Sequence, residues 1–319
     1  MSNSTSIARA YCQQLNEVLS IAEARRAFFS LPLPRSRFDF LCSSEACRNL
    51  SPKAKITAVN YDKQPSDTYH AAHFRLNPKY QHAPDCEWLD AQKSDTDEML
   101  PSENEETASG RRARRKLHDY IDVFDPNPTP TEGTPKTPTA GKPMLHDGGS
   151  SSTPDALAGS RSGTHRTSSL ERLVECYRMA KQELSSEELK SMKLRVVGEG
   201  EIPLLWYFRS IGFGKLGISN RVLHGGAMLV GRYGMGFKLS FYDKVEGKPV
   251  FLYVSKDEMG EYRFRRYLDE MLKREDADYF RVYALGQLAL SPSEKSIDLQ
   301  ISDLNQLVLI PGRKASSQG

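Results

Sequence analysis

No stretch of the 319-residue sequence approaches the roughly 18–20 consecutive apolar residues of a membrane-crossing helix, which excludes a protein built on such spans. Charge of one sign is also missing. Forty-four basic residues face 41 acidic ones, a net charge of +3, so bulk charge demands neither a nucleic acid nor an acidic membrane, and any such partner must be argued from local clusters. The opening segment, Met1–Ser20, has no apolar core of secretory type, so a cytoplasmic location is expected. No GxxxxGK[ST] motif and no GxSxG elbow occurs, which argues against P-loop and α/β-hydrolase chemistry, and no internal repeat of fixed period is found. Bulky apolar residues are scarce overall: 38% of the chain is hydrophobic, 27% is charged, and the mean hydropathy is −0.56. That balance is too polar for one compact globule and too apolar for a wholly disordered chain.

What is present divides by composition. The spacing of Ile7, Tyr11, Leu15, Val18, Leu19 and Ala22 predicts a helix over 3–30, ended by Leu31-Pro32-Leu33-Pro34. A polar, aromatic segment from Phe38 to Trp88 carries three of the five cysteines. From about Asp90 to Arg166, Pro, Thr, Ser and Gly dominate, and such a stretch cannot bury enough apolar surface to offset chain entropy. Order resumes at Ser168-Ser-Leu-Glu171 and again at Ser185-Ser-Glu-Glu188, both capping-box patterns that predict helices. Beyond them the sequence predicts strands near 194–197, 227–230, 237–242, 250–254, 280–285, 297–301 and 307–310. A hairpin turn is expected at Glu246–Pro249 and a helix over Glu261–Arg274. The expected class is α+β: a helix plus small metal-binding module over 1–89, a disordered linker over 90–166, a mixed, mainly antiparallel β-rich domain with flanking helices over 167–312, and a disordered tail over 313–319.

The cysteines carry the strongest chemical signal. Cys42-x4-Cys47 and His82-x3-Cys86 are two short-spaced pairs 34 residues apart. Zinc prefers four tetrahedral N/S ligands supplied in this way, and four protein ligands close the coordination sphere, giving a structural site. In a short, polar segment the ion substitutes for an apolar core. His73 is the alternative histidine; His82 is preferred because His82-Ala-Pro-Asp-Cys86 places a turn between two ligands. Cys12 and Cys176 fall on helical stripes and read as buried structural residues. The run Phe40-Leu-Cys42, Cys47, His73-Phe74, His82 and Cys86 resembles the zinc-binding N-terminal region of competence CoiA-like proteins, in which an aromatic–Cys pair is followed by a His-Phe pair. The resemblance covers residues 38–88, and four residues separate Cys42 from Cys47 where that family usually has two. It implies a zinc-stabilised module near nucleic acid and no catalytic residue.

Two basic clusters point to a polyanionic partner. Arg111, Arg112, Arg114, Arg115 and Lys116 put five cations in six residues, downstream of six carboxylates between Asp95 and Glu106. Arg263, Arg265 and Arg266 are interleaved with Tyr262, Phe264 and Tyr267, so rings could stack bases while cations hold the backbone; the competing reading is an amphipathic helix with its aromatics in the core. Gly212-Phe-Gly214-Lys-Leu-Gly217 matches GxGxxG but lacks the strand–helix setting of a dinucleotide site and reads as a loop. His224, beside Gly225-Gly226, reads as a hydrogen-bonded structural residue, and Glu199 and Glu201 read as solvated. The element order of the C-terminal region resembles the OB-fold, a five-stranded barrel with a helix. Two functional expectations follow: a zinc-stabilised, non-enzymatic, nucleic-acid-associated (DNA-binding) protein, or a protein–protein adaptor or mobile-element accessory factor with a structural zinc. An enzyme built around His224 or Glu199 ranks third.

Overall fold

The computed structural model describes residues 6–7, 9–64, 71–86, 88–89, 123–126, 166–167, 169–217, 220–275 and 277–313. The expected helix over 3–30 is not formed. Instead β1 (Ser6–Ile7), β2 (Arg9–Cys12) and β3 (Glu17–Ser20) precede a shorter helix, α1 (Ile21–Phe29). The physical reason is local. The turn between β2 and β3 holds Asn16 at φ 55°, a left-handed conformation that stops a helix, and Ala10 and Cys12 alternate inward along β2. The helix waits for Ser20, whose Oγ accepts from the Glu23 N–H while its own N–H donates to Glu23 Oε2 at 2.8 Å.

With β4 (Phe40–Cys42), α2 (Glu45–Arg48), β5 (Lys55–Val59) and β6 (His73–Leu76), these strands form a six-stranded sheet of order β1-β6-β5-β4-β2-β3. The module therefore has a core of its own. Ile7, Leu19, Ile21, Phe28, Phe38, Phe40, Tyr61 and Phe74 are buried in one cluster with the three cysteines. The expectation that an ion stands in for a missing core is corrected accordingly: Phe40 of β4, Tyr61 of the turn after β5 and Phe74 of β6 come together, which no local count of apolar residues reveals.

The expected linker lies outside the described residues, except at 123–126 and 166–167. There the chain is ordered: β7 (Val123–Phe124) pairs in parallel with β8 (Arg166–Thr167), and Phe124 is buried. Next come α3 (Leu170–Glu183), capped by Ser169 rather than Ser168, and α4 (Ser186–Ser191), which starts at the expected Ser185–Glu188 capping box. β9 (Lys193–Val196) joins β7, and β10 (Gly200–Pro203) joins β9. The helical turn α5 (Leu204–Tyr207) leads into β11 (Phe208–Ser210).

The strands that follow close on themselves. β12 (Arg221–Tyr233) pairs with β13 (Gly236–Val245), β13 with β14 (Lys248–Val254), β14 in parallel with β16 (Ile297–Ile301), β16 with β15 (Tyr279–Leu290), and β15 back with β12. This is a five-stranded ring, extended by β11 on β12 and by β17 (Leu307–Gly312) on β15. Phe237, Leu239, Leu252, Val282, Ala284 and Leu299 fill it. The helix expected over 261–274 is two helices, α6 (Lys256–Glu261) and α7 (Arg265–Leu272), between the third and fourth strands of the ring. Their buried Met259, Leu268 and Met271 belong to the barrel core.

The N-terminal module is docked on this domain. Arg25 and Arg26 of α1 reach Glu171 and Glu175 of α3, all four side chains being buried. Phe29 packs against Tyr267, and Arg35 pairs with Glu270 at 2.6 Å.

Candidate metal centre and the barrel face

Four side chains meet beneath the six-stranded sheet: Cys42, Cys47, His82 and Cys86, whose donor atoms all lie within 4.8 Å of one another. Each is held by a short-range device. Cys42 ends β4, where its N–H donates to Ala54 O at 2.9 Å; Cys47 sits one helical turn later on α2. The second pair comes from a turn closed by Cys86 N–H to Ala83 O at 3.0 Å, and Trp88 Nε1 donates to Ser43 Oγ at 2.8 Å, tying the second pair to the first. The Ala83 N–H also donates to Cys47 Sγ at 3.2 Å, the kind of bond that orients a thiolate toward a metal.

The distances fit an ion. Cys42 Sγ and Cys86 Sγ are 3.7 Å apart, far beyond a disulfide, and close to the edge of about 3.8 Å that a tetrahedron of 2.3 Å metal–sulfur bonds requires. His82 Nδ1 is 3.5 Å from Cys86 Sγ, against about 3.6 Å for a sulfur–nitrogen edge of the same tetrahedron. His82 Nε2 is buried without a hydrogen-bond partner. Burial raises the pKa values of the Cys42 and Cys86 thiols and lowers that of His82, so an empty site would hold neutral thiols; a cation reverses that preference by stabilising the thiolates. The arrangement can hold one metal ion with no open coordination position.

His73 is not part of it. It lies on β6 opposite Val59, its Nδ1 3.0 Å from Ala71 O. Cys12 is buried as expected but on β2, and Cys176 is buried on α3.

The basic clusters fare differently. Arg111, Arg112, Arg114, Arg115 and Lys116 lie outside the described residues. The aromatics interleaved with Arg263, Arg265 and Arg266 are turned inward: Tyr262, Phe264 and Tyr267 are buried, so this segment offers no rings for stacking. Arg263 pairs with Glu17 and lines a cavity of about 460 Å³ shared with Glu23, Glu258, Glu261 and Asp303, an acidic setting hostile to phosphate. Arg265 donates to Gly260 O. His224, half-buried, lies beside Tyr177 and Tyr283, and Glu199 is exposed, as expected, and pairs with Arg221 at 2.7 Å. Gly212–Gly217 forms a short helical turn and loop, as expected.

A surface not singled out in the sequence lies on the outside of β12, β13 and β14. Register places Met228, Ser240 and Phe251 in one row and Gly231, Lys238 and Tyr253 in the next. Met228, Val230, Tyr233, Tyr242 and Tyr253 are exposed. The signal was the two-residue alternation of Lys238, Ser240 and Tyr242 against Phe237, Leu239 and Phe241, which separates an outer face from the core.

Compared with family models, curated proteins and solved structures, the chain matches none.

Proposed function

We propose that this is a zinc-stabilised, non-enzymatic protein that binds nucleic acid through its barrel. Zinc is the ion favoured by three thiolates and one imidazole in a closed tetrahedral set, and such a set supports structure rather than hydrolysis. The resemblance of residues 38–88 to the CoiA-like zinc region points the same way. The single observation that carries the binding reading is the outer face of β12, β13 and β14, where Tyr233, Tyr242 and Tyr253 are exposed and Lys238 lies over the half-buried Phe251 ring. An enzymatic reading has less to stand on, since the His224 ring packs beside Tyr283 and Glu199 is engaged in a surface ion pair with Arg221.

Two measurements test this. Elemental analysis of the purified chain is expected to find one zinc per molecule, lost in Cys47→Ser, Cys86→Ser and His82→Ala and kept in His73→Ala; an absence of bound metal, or its retention in all three ligand variants, sinks the zinc reading. Titration of a fluorescent oligonucleotide at rising salt is expected to show affinity falling linearly on a log–log plot as counterions are displaced. No binding at low salt, with a stoichiometric protein co-purifying instead, would favour the adaptor reading.

A further inference from the structure

We infer that the barrel face takes single-stranded nucleic acid by stacking unpaired bases on two tyrosine pairs; the inference rests on the nucleic-acid reading above and narrows it to one class of substrate. Tyr233 and Tyr253 meet edge to face with ring centroids 5.9 Å apart near the β12–β13 hairpin. Tyr242 and Tyr279 meet at 6.3 Å further along the same face. Lys238, the neighbour of Tyr253, and Tyr242 are four positions apart on β13, a rise of about 13 Å along the strand. Between them lie Met228 and Phe251, and Lys238 Nζ sits 4.0 Å from the Phe251 ring centroid.

The face is shaped for rings. Gly226 lies directly beneath Tyr242: a Cβ there would come within 2.9 Å of Tyr242 Cδ2, so only glycine lets this ring rest on the strand. Tyr233, Tyr242 and Tyr253 are each about half exposed, at 52%, 49% and 54%, leaving ring surface open to a ligand. Charge complements a phosphate backbone. Arg281, directly opposite Gly226 on β15, is exposed on this face, and Lys238 stands between the aromatic rows. Of the nearby carboxylates, Asp243 turns the other way, toward Gly212 and Gly225, whereas Asp298, beside Phe251 on β16, shares this face and bounds the basic strip on that side.

The occupant follows from these features. A duplex hides its base faces in its own stack and offers only edges and phosphates, and among the described residues no helix projects from this outer face to enter a groove. A single strand exposes base faces, and every base has one to stack. An extended peptide is disfavoured, because β13 is paired on both sides and presents no free backbone edge to an added strand.

The experiment compares four probes of equal length with the full chain: single-stranded DNA, single-stranded RNA, duplex DNA, and an abasic single strand that keeps every phosphate and lacks the bases. At one salt concentration, the base-bearing single strands are expected to bind at least about tenfold more tightly than both the duplex and the abasic strand. Tyr253→Ala and Tyr242→Ala are expected to lose about tenfold or more toward the base-bearing strands while leaving abasic binding unchanged, and Tyr253→Phe and Tyr242→Phe to retain affinity. Equal affinity for the abasic strand, or for the duplex, overturns the stacking inference while nucleic-acid binding itself survives. Failure of all four probes overturns both. The abasic comparison uses the unaltered protein, so it decides the matter even where a variant folds poorly.

Discussion

His224 shows how a single residue's surroundings become a property of the whole molecule. It lies between Tyr177 and Tyr283, with its ring 5.6 Å from that of Tyr283. Burial, helped by the Lys181 cation and opposed by Asp243, pulls its pKa down to about 4 from 6.5. A depressed imidazole pKa means that the unfolded chain takes up a proton the folded chain refuses. The stabilisation is therefore complete above pH 6.5 and is lost progressively as pH falls toward 4. Between pH 7 and pH 4.5 this one group should cost about 2.5 kcal/mol of unfolding free energy. Urea titrations at the two pH values should show that loss shrinking in His224→Gln by a comparable amount; an identical loss in both proteins would mean the imidazole is not insulated. The metal ligands make a related point. Cys42, Cys47 and Cys86 could be chosen from spacing, because short-range pairs must share an ion or nothing. Choosing His82 over His73 rested on the turn between His82 and Cys86, and the same turn delivers both donors to the site.

At the scale of elements, close approach of strands explains which positions resist change. A Cβ on Gly286 would fall 2.2 Å from Gln300 O, backbone against backbone, where β15 pairs with β16. Neither strand can yield without opening the ring. Gly286→Ala should therefore destabilise the barrel by about 1–3 kcal/mol, the range of overpacking, measured by thermal unfolding. A neutral result would show that the ring is looser at β16 than its pairing implies. Elements bounded by their own caps and turns were legible in sequence. Ser185–Glu188 starts α4, Glu246–Gly247 turns β13 into β14, and Ile297–Ile301 is a strand. The failure over 3–30 has the opposite cause. The apolar positions Ile7, Tyr11 and Leu15 fit a helical period, yet Ala10, Tyr11 and Cys12 pair with Cys42, Leu41 and Phe40 of β4, an interior strand about 30 residues on, and tertiary pairing overrode local period.

For the whole molecule, the decisive feature is the buried charge between α1 and α3. Arg25 is 1% exposed and Glu171 2%, with Glu175 raised in pKa by burial and pulled back by Arg25. Arg25 also donates to Asn60 O, Arg26 to Asn305 Oδ1 at 2.8 Å, and the Ala72 N–H to Glu175 Oε2. The network thus joins the module with the Cys/His cluster to α3 and to the β16–β17 connection, where the sequence predicts two modules separated by a disordered linker. Arg25→Met leaves Glu175 without its arginine in a dry interface, with Glu171 held by Arg26 alone, and should cost about 3–5 kcal/mol. Neutralising a partner as well, in Arg25→Met/Glu175→Gln, should recover part of that loss. Additive losses in the double variant would show that the pair is not coupled.

The sequence by itself pointed to Cys42, Cys47 and Cys86 with His82 or His73 as a candidate metal set, to most strand positions of the barrel and to the capped helices, because each is encoded by residues within a few positions of one another. Only the tertiary structure decided that the strands close into a ring, that the front module has its own core and is locked down by Arg25 and Arg26, and that Tyr233, Tyr242, Tyr253 and Tyr279 share one outer face. Those outcomes depend on which distant segments pair and in what register, and a one-residue change of register sends every side chain of a strand to the opposite side.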